Sequence, residues 1–261
     1  MAQEDSIKFL GTAGARFAVA RQLRASGGTW LQIGGRRIML DPGPGALVRA
    51  ARSRPRLDVT VLVAVILTHA HIDHSNDVNA VLDAMTAGGF EPRGELFAPA
   101  QCLEGPDRIL LDYLRPFVER IVTLEPEGEY ETGGVRFAAS VRHLHGCETY
   151  GVKFHRERGD LSFLVDTGWF DGLPEAYAPS DVLVVNVVRH RDTAGGRIQH
   201  LTIDDAERVF ARVRPRIGVI THFGMTMLKA KPRLVADEMS ERLGLRILAA
   251  GDGMTLKLDE G

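Results

Sequence analysis

Between positions 68 and 74 the chain reads Thr68-His69-Ala70-His71-Ile72-Asp73-His74, which places four metal-capable side chains within six residues. Imidazole nitrogens suit zinc, and a carboxylate oxygen completes such a site. On an extended or turning backbone His69 and His71 project to the same side. Asp73 and His74 then reach a second position nearby. A lone histidine is more often structural, but three histidines and an aspartate packed this closely have no packing rationale, because such side chains are seldom core residues.

Such a cluster needs a rigid mount. Residues 59–67 form a β-branched apolar run, expected as a strand buried on both faces, and the cluster sits at its end. Further strands are expected at 7–10, 30–33, 37–40, 135–144, 150–154, 161–165, 182–188, 217–221 and 245–248. Val78, Val81, Leu82 and Met85 make the stripe of an amphipathic helix, as do Ile109, Leu110, Tyr113, Leu114 and Phe117. Ala206, Val209, Phe210 and Val213 make another, with Thr202 placed as its N-cap, and 234–243 is a last helical pattern. Gly34-Gly35 signals a hairpin, Gly11-Thr12-Ala13-Gly14 a flexible turn, and Asp41-Pro42-Gly43-Pro44-Gly45 a strand stop. Asn186 to Asp192 could line the pocket, although a strand entering a polar loop is the simpler reading, and Asp252-Gly253-Met254 reads as a turn. Strands alternate with helices, so the fold class is α/β, in one domain spanning 1–261.

The pattern His-x-His-x-Asp-His resembles the signature of the metallo-β-lactamase superfamily, closest in its motifs to ribonuclease Z-like phosphodiesterases. The resemblance implies a four-layer αβ/βα sandwich with two divalent metal ions, zinc or else manganese or iron, at one edge between the sheets. It implies that His69, His71 and His145 hold one ion, that Asp73, His74 and His222 hold the other, and that Asp166, in Val165-Asp166-Thr167-Gly168, bridges them. His143 is the rival of His145, since both share strand parity, and it is placed as a neighbour supporting the site. Asp41 is expected to order the metal loop from behind. Two ions about 3.5–4 Å apart share a water, drop its pKa toward about 7, and let the resulting hydroxide attack phosphorus or carbonyl carbon.

Gln199-His200-Leu201-Thr202 resembles the His-x-Thr element of ribonuclease Z, which implies that His200 protonates the leaving oxygen, with Asp73 and Asp166 completing the catalytic group. A histidine suits that task because its pKa lies near neutrality. The position ahead of a helix N-terminus also favours a phosphate. Glyoxalase-type members carry Thr-Pro-Gly-His-Thr at the third histidine, where this chain has Arg142-His143-Leu144-His145-Gly146. The long tRNA-clamping arm has no room in the roughly thirty residues between Asp166 and His200. The expected activity is therefore hydrolysis of a small phosphodiester, such as a cyclic nucleotide or cyclic sugar phosphate. A lactonase or other ester hydrolase, an RNA-processing nuclease, and a non-catalytic nucleic-acid-binding protein are the alternatives.

Composition is compatible with these expectations. Lys+Arg is 32 and Asp+Glu 34, a formal net charge of −2, which gives no overall pull on nucleic acid. Positions 1–56 are different, with Lys8 and nine arginines against Glu4, Asp5 and Asp41. The Gly11–Gly14 loop and, among these arginines, Arg16, Arg21 and Arg24 are candidates to contact the phosphate or sugar of an anionic substrate, although arginines placed for solubility look the same. Cys102 and Cys147 make no metal spacing and no disulfide framework. No run is long enough to span a bilayer, and residues 1–9 lack the apolar core of a signal peptide. The expectation is a cytoplasmic protein acting on a small anionic substrate rather than RNA, with no membrane partner and with a homodimer open.

Overall fold

The computed structural model describes residues 4–26, 28–191 and 198–260. Its first sheet contains β1 (Ser6–Phe9), β2 (Thr29–Ile33), β3 (Arg36–Leu40), β4 (Ala64–Ile66), β5 (Glu95–Pro99) and β6 (Arg120–Leu124). The second contains β7 (Glu129–Thr132), β8 (Val135–Arg142), β9 (Tyr150–Phe154), β10 (Leu161–Leu164), β11 (Val182–Asn186), β12 (Ile217–Thr221) and β13 (Arg246–Ala249). The last strand, β14 (Thr255–Lys257), crosses back to edge the first sheet. The orders are β14-β1-β2-β3-β4-β5-β6 and β13-β12-β11-β10-β9-β8-β7. In each sheet the β3-to-β6 or β10-to-β13 part is parallel and the rest antiparallel.

Three apolar clusters make this a four-layer α/β sandwich, as expected. The central one lies between the sheets, with Ile7, Leu31, Ile66, Phe97, Phe137, Phe154, Val184 and Val219 among its members. A second packs the outer face of the first sheet under helices Ala46–Arg52 and Val78–Met85. The third packs the second sheet under helices Ile203–Val213 and Pro232–Leu243. Strands β4, β10, β11 and β12 are covered on both faces, which is why they read as unbroken apolar runs. Among the described residues no helix is long and apolar enough to cross a membrane.

Several expected elements shift. The run 59–67 is not one strand, because the Asp58 carboxylate accepts from the Thr60 amide at 3.0 Å and caps a 3-10 turn at Val59–Val61. Only Ala64–Ile66 remains strand. The stripe at 109–117 is a 3-10 helix, Asp112–Phe117, with Pro116 inside. Gly11 to Gly14 is a fixed segment: the Thr12 amide and hydroxyl both donate to Asp252 (2.9 and 2.7 Å), and Ala13 bridges to Phe223. Thr202 caps its helix in a reciprocal box with Asp205, as the sequence indicates.

Candidate metal centre

The ligand-type side chains other than His200 follow strands at one edge of the sandwich. His69 follows β4 and is fully buried. One residue after His71 the backbone coils into the single turn Ile72–Ser75, which carries Asp73 and His74. Ser75 fastens that turn by donating to the carbonyls of Ala70 and His71 at 3.1 and 3.0 Å. His145 lies in the turn after β8. Thr167 and Gly168 pin this turn, since the Leu144 amide donates to Thr167 Oγ1 (3.1 Å) and the Gly168 amide to the Leu144 carbonyl (2.8 Å). Asp166 follows β10, and His222 follows β12 with φ +61°.

The structure brings His69, His71, Asp73, His74, His145, Asp166, His200 and His222 together. His71 Nδ1 and His145 Nε2 are 3.0 Å apart, and the His69 ring is 4.9 and 5.2 Å from theirs. His74 Nε2 and His222 Nε2 are 2.9 Å apart, with Asp73 Oδ2 at 3.3 Å from the latter. The Asp166 carboxylate stands between the groups. Its Oδ2 is 3.9 Å from His69, 3.4 Å from His74, 4.0 Å from His145 and 3.6 Å from His200, and its Oδ1 is 3.2 Å from His222.

Hydrogen bonds behind the rings decide which nitrogen faces inward. The Asp41 carboxylate, an acceptor only, takes the His74 Nδ1 proton at 2.9 Å and also accepts from the Thr68 amide and hydroxyl, both at 2.7 Å. With its own proton given to Asp41, the Thr68 hydroxyl accepts from His69 Nδ1 at 2.9 Å. The Gln199 carbonyl takes the His145 Nδ1 proton at 3.1 Å. Nε2 of His69, His74 and His145 therefore present lone pairs inward. Nε2 of His69 and Nδ1 of His200 and His222 are buried with no hydrogen-bond partner. Lone pairs converging on a common carboxylate repel one another unless a cation or proton lies among them. This donor set fits divalent metal ions, and imidazole with carboxylate is the chemistry of zinc sites.

Without an ion a proton takes that place. Burial pushes His74 down, but Asp166, Asp73 and Asp41 outweigh it and hold the ring well above the usual histidine range. Burial and the charge of His74 hold His69 well below it. Asp166 and Asp73 sit well below the carboxylate range despite burial, because His222 and His74 beside the first, and His74 and His222 beside the second, favour the charged form.

His143 is turned away. Its Nδ1 meets the Asp166 carbonyl at 3.1 Å and its Nε2 accepts from the Tyr177 hydroxyl at 2.7 Å, and burial lowers its pKa to about 4. It therefore braces the backbone that carries Asp166. His200 faces the site with 18% of its side chain exposed, and burial lowers it to about 4. Thr202 is occupied as a helix cap, so its amide and that of Asp205 are already satisfied and not free for a phosphate. A cavity of about 530 Å³ opens over the cluster, lined by Arg16, Val19, Ala20, His71, Ile72, Asp73, Asp166 and His200. Arg21 and Arg24 do not line it; Arg24 donates instead to the Thr12 hydroxyl at 3.2 Å.

Two residues take supporting roles that the sequence does not specify. Asn186, at the end of β11, donates from Nδ2 to Asp166 Oδ1 at 2.9 Å and fixes the carboxylate plane. The only local sign is an amide closing the apolar run 182–185. Asp192, in the segment that follows, lies outside the described residues. Gly14 is the second. A Cβ there would fall 2.3 Å from His222 Nδ1 and 2.3 Å from its carbonyl oxygen, both far inside contact distance. Gly14→Ala is expected to push the His222 ring off its place. A misplacement of about 1 Å can cost about 100-fold in rate, so turnover should fall by that order while the fold persists. Unchanged turnover together with unchanged metal content would show that the close approach is immaterial.

Comparison with known proteins adds the context. The family profile described as the beta-lactamase superfamily domain matches residues 36–223. The chain is 27% identical to ribonuclease Z of Mycolicibacterium gilvum over 231 residues, 78% of this chain and 80% of that protein. Among solved structures it is similar to the metallo-beta-lactamase fold protein YhfI of Bacillus subtilis (TM-score 0.81, 16% identity, 97% and 99% of the two chains). It is also similar to a diphosphatase of the PhnP family (TM-score 0.70, 22% identity, 98% of each chain).

Proposed function

The chain belongs to the beta-lactamase superfamily as a metal-dependent hydrolase, and from that membership we propose that it hydrolyses a small phosphodiester at a dinuclear zinc centre. The observation that carries the reading is the cavity itself: one guanidinium, Arg16, and one histidine, His200, share its lining with the metal-ligand cluster. Its volume is that of a small-molecule cleft. His69, His71 and His145 would hold one ion, Asp73, His74 and His222 the other, with Asp166 between them. Bound there, the ions supply Lewis acidity and bring a water's pKa toward about 7.

The chain's own residues do the rest. Asp41 and Thr68 fix the His74 and His69 rings, and Asn186 fixes Asp166. Arg16 pairs with the substrate's negative charge. Nδ1 of His200 faces Asp166, which leaves Nε2 for the leaving oxygen. Burial holds His200 low in the free protein, and an anionic phosphodiester seated against it favours its charged form, so the ring takes up a proton from solvent as the substrate binds. The solved relative named as a diphosphatase and the curated ribonuclease Z both agree with chemistry at phosphorus. Among the described residues between Asp166 and His200 lie a short helix, Leu173–Ala176, and β11, and the interval is only about thirty residues long, which favours a small substrate over tRNA. The reading treats residues 1–261 as one catalytic unit, since β1 and β14 pair across its two ends.

The test is a turnover screen of metal-loaded protein against cyclic nucleotides, aryl phosphodiesters and lactones. Phosphodiester turnover is expected, and lactone turnover alone would replace the reading with that of an ester hydrolase. A metal titration separates the two histidines of the β8 turn. His145→Ala should remove one ion's binding, whereas His143→Ala should weaken it by the roughly 10–100-fold of a lost outer contact. The reverse order would exchange their roles.

A further inference from the structure

Cys147 lies two residues beyond His145 and is 9% exposed, with a free thiol. Its Sγ and one ring nitrogen from each of His69, His71 and His145 all lie within 4.8 Å of one another. The sequence gives no hint of this, because Cys147 and Cys102 form no metal spacing. The loop holding the thiol is fixed: the Thr149 hydroxyl donates to the Cys147 carbonyl at 3.1 Å, and the His143 amide donates to the Thr149 carbonyl at 2.9 Å. The nearest hydroxyl to the sulfur, Thr149 Oγ1, is 3.7 Å away. Facing the same space is His69 Nε2, wholly buried and without a hydrogen-bond partner.

We propose that Cys147 is a further protein ligand, beside the shared Asp166, to the ion held by His69, His71 and His145. The proposal rests on the metal-centre reading above. Zinc bonds of about 2.0–2.1 Å to nitrogen and 2.3 Å to sulfur separate neighbouring ligand atoms by roughly 3.3–3.6 Å. A cluster whose atoms lie within 4.8 Å needs about 1 Å of closure to match it. On binding, the S–H bond breaks, the sulfur–metal bond forms, and the proton leaves to solvent. The two positions then differ in kind. Three imidazoles and a soft thiolate select zinc strongly, while two imidazoles and the Asp73 carboxylate form a harder set that exchanges its ion more readily.

Cobalt(II) spectroscopy on the whole protein tests this, since a thiolate bonded to cobalt gives an intense near-ultraviolet charge-transfer band that imidazole and carboxylate do not. The band is expected in the wild type and in Cys102→Ser, and not in Cys147→Ser. Serine keeps a hydrogen-bond acceptor beside His71, so it distinguishes a ligand from a positioning group. Zinc competition with a chelator should show the tighter ion of Cys147→Ser weakened by more than the roughly 10–100-fold that a lost outer contact costs. Zinc should also protect Cys147 from iodoacetamide, read by mass spectrometry. Two cobalt ions bound to the wild type without the band would overturn the thiolate and leave the metal centre standing. No cobalt binding at all would overturn both. If Cys147→Ser does not fold, the wild-type spectrum and its alkylation protection decide the matter.

Discussion

Asp166→Ala is expected to release both ions and take turnover to background. This carboxylate lies within about 4 Å of both clusters, reaching His69 and His145 on one side and His74 and His222 on the other. Removing it leaves the His69, His71 and His145 group with no carboxylate and the other group with Asp73 alone, so a dication loses the charge partner shared between them. The drop in a water's pKa from 15.7 toward about 7 is lost with the ions. Metal content by atomic emission after dialysis, alongside turnover, measures the effect. Retention of two ions with turnover intact would show that the carboxylate does not bridge.

His200→Ala is expected to slow a substrate with a poor leaving group by about 10²–10⁴-fold, the usual contribution of a general acid. Both ions should stay, because the proposed ligand sets do not include it. An activated aryl ester, whose leaving group scarcely needs a proton, should be slowed far less. Equal slowing of the two substrates with metals retained would make His200 a positioning residue. The contrast between leaving groups is the decisive readout, because His200 also lies near enough to His145 and Asp166 to join a metal set.

How much of this could be read from the chain depends on the range of each interaction. The His69 to His74 cluster was legible because its ligand-type side chains are neighbours in sequence and any fold keeps them close. The choice between His143 and His145 was not decided by strand parity, since β8 ends at Arg142 and the backbone has left the strand by then. The Tyr177 hydroxyl and the Asp166 carbonyl occupy His143, and neither is near it in sequence. Asn186 was hidden for the same reason, as its partner is twenty residues away across a parallel ladder. Long apolar strands such as β12 were plain, whereas β14, a three-residue strand in which only Leu256 is buried, carries no pattern to read. The run at 59–67 misled because a local Asp58–Thr60 bond outweighs β-propensity over three residues.

The ligand-type residues are divided between the halves of the sandwich: His69, His71, Asp73 and His74 follow a strand of the first sheet, and His145, Asp166 and His222 follow strands of the second. An ion seated among them is thus a rivet through both sheets, and the sheets cannot part at that edge while it stays. Metal occupancy and resistance to heat become one quantity. An ion at 100 times its dissociation constant adds about 2.7 kcal/mol to the folded state. A chelator would then loosen the molecule as a whole before any question of catalysis arises.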